Sequence, residues 1–375
     1  MARYWVGGGS STNWNATVPT NWSATSGGAN DASVPDSTQA VFFDANSGVG
    51  ISNVSAAITI GSLDTDAYLG TITHGAFNVS IGNATMGDLI LGSGMTLTNA
   101  ASSNCKITLR STKATANITT NGKVIRNLTI NSAGGACTYT LQDNLTTTST
   151  LAVLSGTLTG NGKDATVGTS FTLTNGIVNA GTGTWTTLNW VGSASANFNA
   201  DTSTVIINGG QLQPDVVPYY NLTFSGAVTV NGALSDLEVS GTLSLSAGAV
   251  VTATAGMTWT VTGSIAFNGT SGNLVTMLSG TPSSEFYIVG PTGVHNYSYM
   301  SITDNNISGG TYNAFSSVNG GGNTGWNIVA TSNTNQSQSS GLDGSFNVGS
   351  TYLQSSGGLS GGASSAYVKS TGDIN

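Results

Sequence analysis

The sequence predicts an all-β chain wound as a parallel β-helix, or β-solenoid, and three observations carry that reading. Gly (52), Ser (49), Thr (55) and Asn (37) make up 193 of the 375 residues. All four favour non-helical backbone, which argues against a large helical or α/β core. Charged residues are only 6% of the chain while 38% are hydrophobic, the reverse of charge-rich disorder. From about residue 49 to 280 the apolar residues alternate with polar ones in short runs. Gly or Asn-Gly turns separate the runs, which is the period-two pattern of strands with one face turned inward.

Taken in order, residues 1–48 hold three of the seven Trp: Trp5, Trp14 and Trp22. Large aromatics before a regular solenoid suit a terminal cap, since the first coil would otherwise expose its apolar end. These three and Phe42 are the expected cap, with Trp22 and Phe42 buried. Residues 49–328 are assigned to the solenoid. Ala76-Phe77-Asn78-Val79-Ser80-Ile81, Thr157-Leu158-Thr159 and Thr242-Leu243-Ser244-Leu245 show the alternation, and Asn121-Gly122, Asn161-Gly162, Asn208-Gly209 and Asn231-Gly232 mark tight turns. A weak repeat relates Asn127-Leu128-Thr129 to Asn221-Leu222-Thr223, and Thr150-Leu151 to Thr242-Leu243. Tandem β-sandwiches are the alternative; they predict domain-sized breaks with linkers, and none occurs between 49 and 280. Residues 329–375, rich in Ser, Gly, Asn and Gln, read as a C-terminal arm. Phe346, Tyr352, Leu353 and Tyr367 are its expected anchors on a neighbouring subunit or another protein, the alternative being an added coil on its own solenoid.

The charge is uneven. Residues 1–163 carry seven bases (Arg3, Lys106, Arg110, Lys113, Lys123, Arg126, Lys163) and seven acids, whereas 164–368 carry eight acids and no base. A nucleic-acid partner would need a basic face, and Lys106, Arg110 and Lys113 are expected at the solvated edge of a strand pair. No apolar run approaches the roughly 18 residues of a membrane span, and the first residues lack the apolar stretch of a secretory signal. Membrane insertion is therefore not expected. Cys105 and Cys137 fit no metal spacing and are expected to be free, partly buried thiols.

Catalytic, cofactor-binding and metal-binding residues are not assigned. Asp64 with Asp66, Asp236 with Glu238, and Asp304 are the candidates for the paired carboxylates of a glycan-cleaving site. They lie near turn residues, where Asp serves the backbone. His74 and His295 are isolated and read as surface histidines. Trp185, Trp190 and Trp259, in Thr-rich strands, are candidates for stacking on a sugar ring, although Trp more often lies in a core.

Two stretches resemble a known family. Trp5-Val6-Gly7-Gly8, Asn13-Trp14-Asn15, Asn21-Trp22-Ser23, Val34-Pro35-Asp36 and Ala40-Val41-Phe42-Phe43-Asp44 resemble the opening segment of autotransporter-like and phage β-helix proteins. Tyr299 to Asn306, with Asn319-Gly320-Gly321-Gly322-Asn323-Thr324-Gly325-Trp326, resembles their closing segment. The matches cover 1–48 and about 295–328. The resemblance implies a right-handed parallel β-helix in a phage particle or on a bacterial surface. An autotransporter adds a signal peptide and a membrane barrel, neither of which this chain shows, so the expected role is a non-enzymatic bacteriophage virion structural protein: a fibre, spike or capsid-decorating element. Its expected partners are other virion proteins and further copies of itself, with host glycan as a further contact and no cofactor. A tailspike depolymerase and a bacterial surface adhesin are the alternatives.

Overall fold

Alternation becomes architecture once the strands are in register. In the computed structural model 52% of the chain is strand and 2% helix, and the strands stack in parallel into a β-solenoid of about 13 turns. The structure describes residues 1–330 except 194, 196, 215–217, 233–235 and 268. The expected anchors Phe346, Tyr352, Leu353 and Tyr367 lie outside the described residues. Tandem sandwiches require antiparallel sheets. Among the described strands, Ala2–Trp5 with Trp22–Ser23 is the one antiparallel pair, and the other ladders are parallel.

The coils present three faces. The first runs from Ala2–Trp5 through Ala40–Phe42, Ser62–Asp64 and Leu89–Ile90 to Asn197–Asn199, and a further ladder joins Leu237–Val239 to Asn305–Ser308. The second includes Ile58–Ile60, Asn78–Ile81 and Lys106–Leu109, and the third begins with Ile51–Val54, Thr71–His74 and Thr96–Asn99. Long strands bridge two faces. Leu145–Ser155 pairs Thr147 with Val167 on the third and Val153 with Leu173 on the second. The corner of Val124–Asn131 takes up a register shift between Ile125 and Asn127, the bend a bulge provides.

Inward side chains stack into columns. On the second face Ile60, Ile81, Leu109, Ile130, Val153 and Leu173 are consecutive register partners and all are fully buried. Each such burial contributes about 1.5–3 kcal/mol, which explains how a chain poor in charge and helix formers holds together. At the Asn-Gly turns Asn121 and Gly122, and Asn161 and Gly162, all have positive φ, a conformation Asn and Gly tolerate best.

The sequence repeat proves to be a stacking device. Asn127 lies between coils: its amide donates to the Cys105 carbonyl (2.9 Å), and its Oδ1 accepts from the Thr150 N–H (3.3 Å). Asn221 does the same, donating to Thr204 Oγ1 (3.3 Å) and accepting from the Thr242 N–H (2.9 Å). The two halves of each repeat are thus neighbouring coils. The Asn127 copy sits on the second face, and the Asn221 copy continues the ladder of the third.

At the N-terminal end Trp5, Trp14 and Trp22 are buried, but Phe42 is not. Val41 faces inward over Leu63, so Phe42 turns outward and stacks on Tyr4 at 5.2 Å, while Phe43 fills the core. Phe43 lies 5.3–5.8 Å from the three Trp rings and 5.0 Å from Tyr68. Trp22 Nε1 donates to the Trp14 carbonyl (2.7 Å). Buried Asn21 accepts from the Gly9 N–H and donates to the Ser11 and Asn13 carbonyls, tying the 9–13 loop beneath the first coil. Side-chain ties also join the last described coils. Asn323 accepts from the Asn305 N–H and donates to the Ile302 carbonyl, and Trp326 Nε1 donates to Asn305 Oδ1 (2.6 Å).

Backbone paired above and below is poorly available to proteases. Trypsin is expected to spare the bonds between Lys106 and Lys163 in the folded protein. After urea unfolding it should release one fragment spanning 164–369, since no base lies between Lys163 and Lys369. Native cleavage after Lys106 at the unfolded rate would contradict the stacking.

Candidate functional site

Three of the five candidate carboxylates hold backbone. Asp64 Oδ1 accepts from the Asp66 N–H (3.0 Å), closing a turn. Asp236 Oδ1 accepts from Thr258 N–H one coil on (2.8 Å), and Glu238 stands alone on the outward side of its strand. Asp304 is buried and accepts from the Ser283 N–H (2.9 Å). Asp88, Asp143, Asp164 and Asp201, which sequence reasoning passed over, likewise accept N–H groups of adjacent coils, those of Asn117, Thr120, Thr184 and Gly181. These acids are rungs between coils. Each lies 20–29 residues, about one coil, from the N–H it accepts, and that separation is the signal that identifies it.

His74 is not a surface residue: it is 2% exposed. Ile72 faces inward, and period two carries His74 inward with it. Its Nε2 lies 2.9 Å from the Phe77 carbonyl, so the neutral ring donates there. Burial holds its pKa below the ordinary 6.5, opposed by that hydrogen bond. A histidine kept neutral in the fold but free to protonate when unfolded makes stability fall as pH drops through about 6.5. The melting temperature should therefore fall more between about pH 8 and pH 5 in the native protein than in His74→Gln; equal slopes would remove His74 as the cause. His295 is half-buried and stacks on Tyr312 at 5.0 Å. Cys105 and Cys137 are fully rather than partly buried, and burial pushes both thiols up, which disfavours the reactive thiolate.

The three candidate sugar-stacking rings are also in the core: Trp185, Trp190 and Trp259 are no more than 2% exposed. Trp190 packs on Phe171 (4.3 Å), Phe198 (4.8 Å) and Tyr219 (5.8 Å), and Trp259 on Phe286 (5.1 Å). Each occupies the inward position of an alternating strand, as in Thr184-Trp185-Thr186. No face of these rings is left for a sugar.

Two surface concavities stand out among the described residues. One, of about 690 Å³, lies between Pro282–Glu285 and Gly320–Gly322 over Thr303 and Asp304. Its acids are engaged: Glu285 accepts from Thr324 (2.9 Å) and Asn306 (3.3 Å), and Asp304 from Ser283. The other, of about 460 Å³, lies on the second face and is lined by Asn78, Ser80, Lys106, Thr108, Arg110, Thr129 and Asn131, with Ala133 and Leu154 at its side. Asn78 and Ser80 are register partners of Lys106 and Thr108, and Thr108 of Thr129, so these side chains share one outward surface.

This second groove collects cations that no described residue neutralises. Lys113 pairs with Asp88 (2.8 Å), Lys123 donates to the Ser93 carbonyl (2.8 Å), and Arg126 to that of Ser102 (2.8 Å). Among the described residues Lys106 and Arg110 have no acidic or hydrogen-bonding partner for their charged groups. The expected strand-edge location is corrected as well: Lys106–Leu109 is flanked by strands on both sides.

Comparison with protein families, with curated proteins and with solved structures finds no match to this chain.

Proposed function

We propose that this chain is a non-enzymatic structural element of a bacteriophage particle, a fibre, spike or capsid-decorating protein that works among other virion proteins and further copies of itself. The observation that carries this reading is the use of its polar side chains. Asn127, Asn221, Asp164, Asp236 and their counterparts are committed to binding one coil to the next, which favours a stiff scaffold over a reaction centre. A depolymerase would need two carboxylates facing each other across a groove. Asp236 and Asp304 instead hold backbone, and Glu238 lies beside Asp236 in sequence without facing it across a cleft. The resemblance of residues 1–48 and 295–328 to phage β-helix proteins supports the particle as the place of work.

Immunogold labelling with an antibody raised against the purified protein tests the proposal. Gold on intact, purified phage particles is the expected result. Label confined to bacterial envelopes, with none on particles, would replace it with the adhesin reading. The release of reducing ends from host polysaccharide by the purified protein would overturn its non-enzymatic part.

A further inference from the structure

We infer that the groove on the second face binds an acidic polysaccharide, with Lys106 and Arg110 as the charge-recognising residues. The first ground is the missing counter-charge. Acids outnumber bases 16 to 8 in this chain, yet among the described residues these two cations have no partner while Lys113, Lys123 and Arg126 nearby all do. The second is spacing. Lys106 and Arg110 are four residues apart on one extended segment, about 13 Å between Cα atoms. That suits two charges along a polymer better than one small anion.

The third ground is what lies between and beside them. Thr108 donates to Asn78 Oδ1 (2.8 Å), and the Asn78 amide donates to Ser80 Oγ (2.9 Å), so the floor is held in place before a ligand arrives. Among the described residues the Thr129 hydroxyl has no partner, and Asn131 uses only its Oδ1, accepting from Ser155 (3.1 Å), which leaves its amide donor for a ligand. Hydroxyl and amide groups between two cations match a ligand that alternates hydroxyls with acidic groups. A nucleic acid fits less well. No aromatic side chain lines the groove for base stacking, and two cations on a chain of net charge −8 offer little to a polyphosphate. The inference needs only the groove and does not rest on where the chain resides; its failure would leave the particle assignment standing.

The full-length protein is titrated with polygalacturonate, heparin, neutral dextran and poly(U) RNA, alongside Lys106→Gln/Arg110→Gln and, as a control away from the groove, Lys163→Gln. The native protein should bind polygalacturonate or heparin, more weakly as salt rises, and should not bind dextran. The arm that binds tells carboxylate from sulfate recognition. The double variant should lose tenfold or more in affinity at an unchanged melting temperature, while Lys163→Gln binds as the native protein does. Failure to bind either acidic glycan, unchanged binding by the double variant, equal binding of dextran, or binding of poly(U) alone would each overturn the inference.

Discussion

Replacing Trp22 with Ala is expected to cost about 3–5 kcal/mol and to unravel the N-terminal end of the solenoid. Trp22 is fully buried, and its ring lies edge-on to Trp5 (5.2 Å), Trp14 (5.9 Å) and Phe43 (5.8 Å). The substitution removes the packing and also orphans the Trp14 carbonyl that Nε1 caps. Coils in a solenoid contact mainly their neighbours, so damage at one end spreads inward only as far as the local stability allows. Amide exchange should accelerate first in Ala2–Trp5 and Ala40–Phe42, with the coils beyond residue 138 still protected. The uncovered strand edge should promote aggregation. Phe42→Ala, at the outward neighbour, should cost much less. Unchanged stability in Trp22→Ala, or equal losses at Trp22 and Phe42, would refute the end-cluster account.

Trp190→Ala should be as costly, about 3–5 kcal/mol, but with a different pattern. Trp190 sits mid-stack among Phe171, Phe198 and Tyr219, directly between Phe171 of one coil and Leu212 of the next. Here the strand Thr184–Val191, which serves two faces, gives way to the separate strands Thr204–Ile207 and Gly210–Gln213. A cavity at that junction weakens the contact between two half-solenoids, so the single unfolding transition should divide into two. Denaturant unfolding followed by near-ultraviolet and far-ultraviolet circular dichroism checks this. Coincident transitions at the native midpoint would show that the junction carries no such role.

How much of this was legible in the sequence depends on range. In-and-out alternation is local, so Thr157-Leu158-Thr159 and its like announced strands correctly. The same rule places Trp185 inward between Thr184 and Thr186, and His74 inward after Ile72. Naming those rings as candidate sugar contacts, against the habit of Trp to lie in a core, and reading that histidine as superficial both passed over period two. Phe42 was harder: in Val41-Phe42-Phe43 adjacent apolar residues leave the phase open, and only the pairing of Val41 with Leu63 fixes it. The groove could not be read at all. Lys106 lies 28 residues after its partner Asn78 (106 − 78) and 21 before Asn127 (127 − 106). Such unequal coils hide the vertical neighbours that make Lys106, Arg110, Thr129 and Asn131 one surface.

The stacking register is the claim on which both the rungs and the groove depend, and an engineered disulfide tests it most directly. Thr108 and Thr129 are outward register partners on adjacent coils, and neighbouring strands about 4.8 Å apart fall within the Cα separation a disulfide tolerates. In a chain with Cys105 and Cys137 changed to Ala, Thr108→Cys/Thr129→Cys should oxidise readily in the folded state. Tryptic digestion after unfolding should then yield peptides 107–110 and 127–163 joined, since Arg110 and Arg126 separate them. The pair Thr108→Cys/Ile130→Cys, one residue out of register with the second thiol facing the core, should not cross-link. A cross-link in the second pair and none in the first would contradict the register, and with it the solenoid described here.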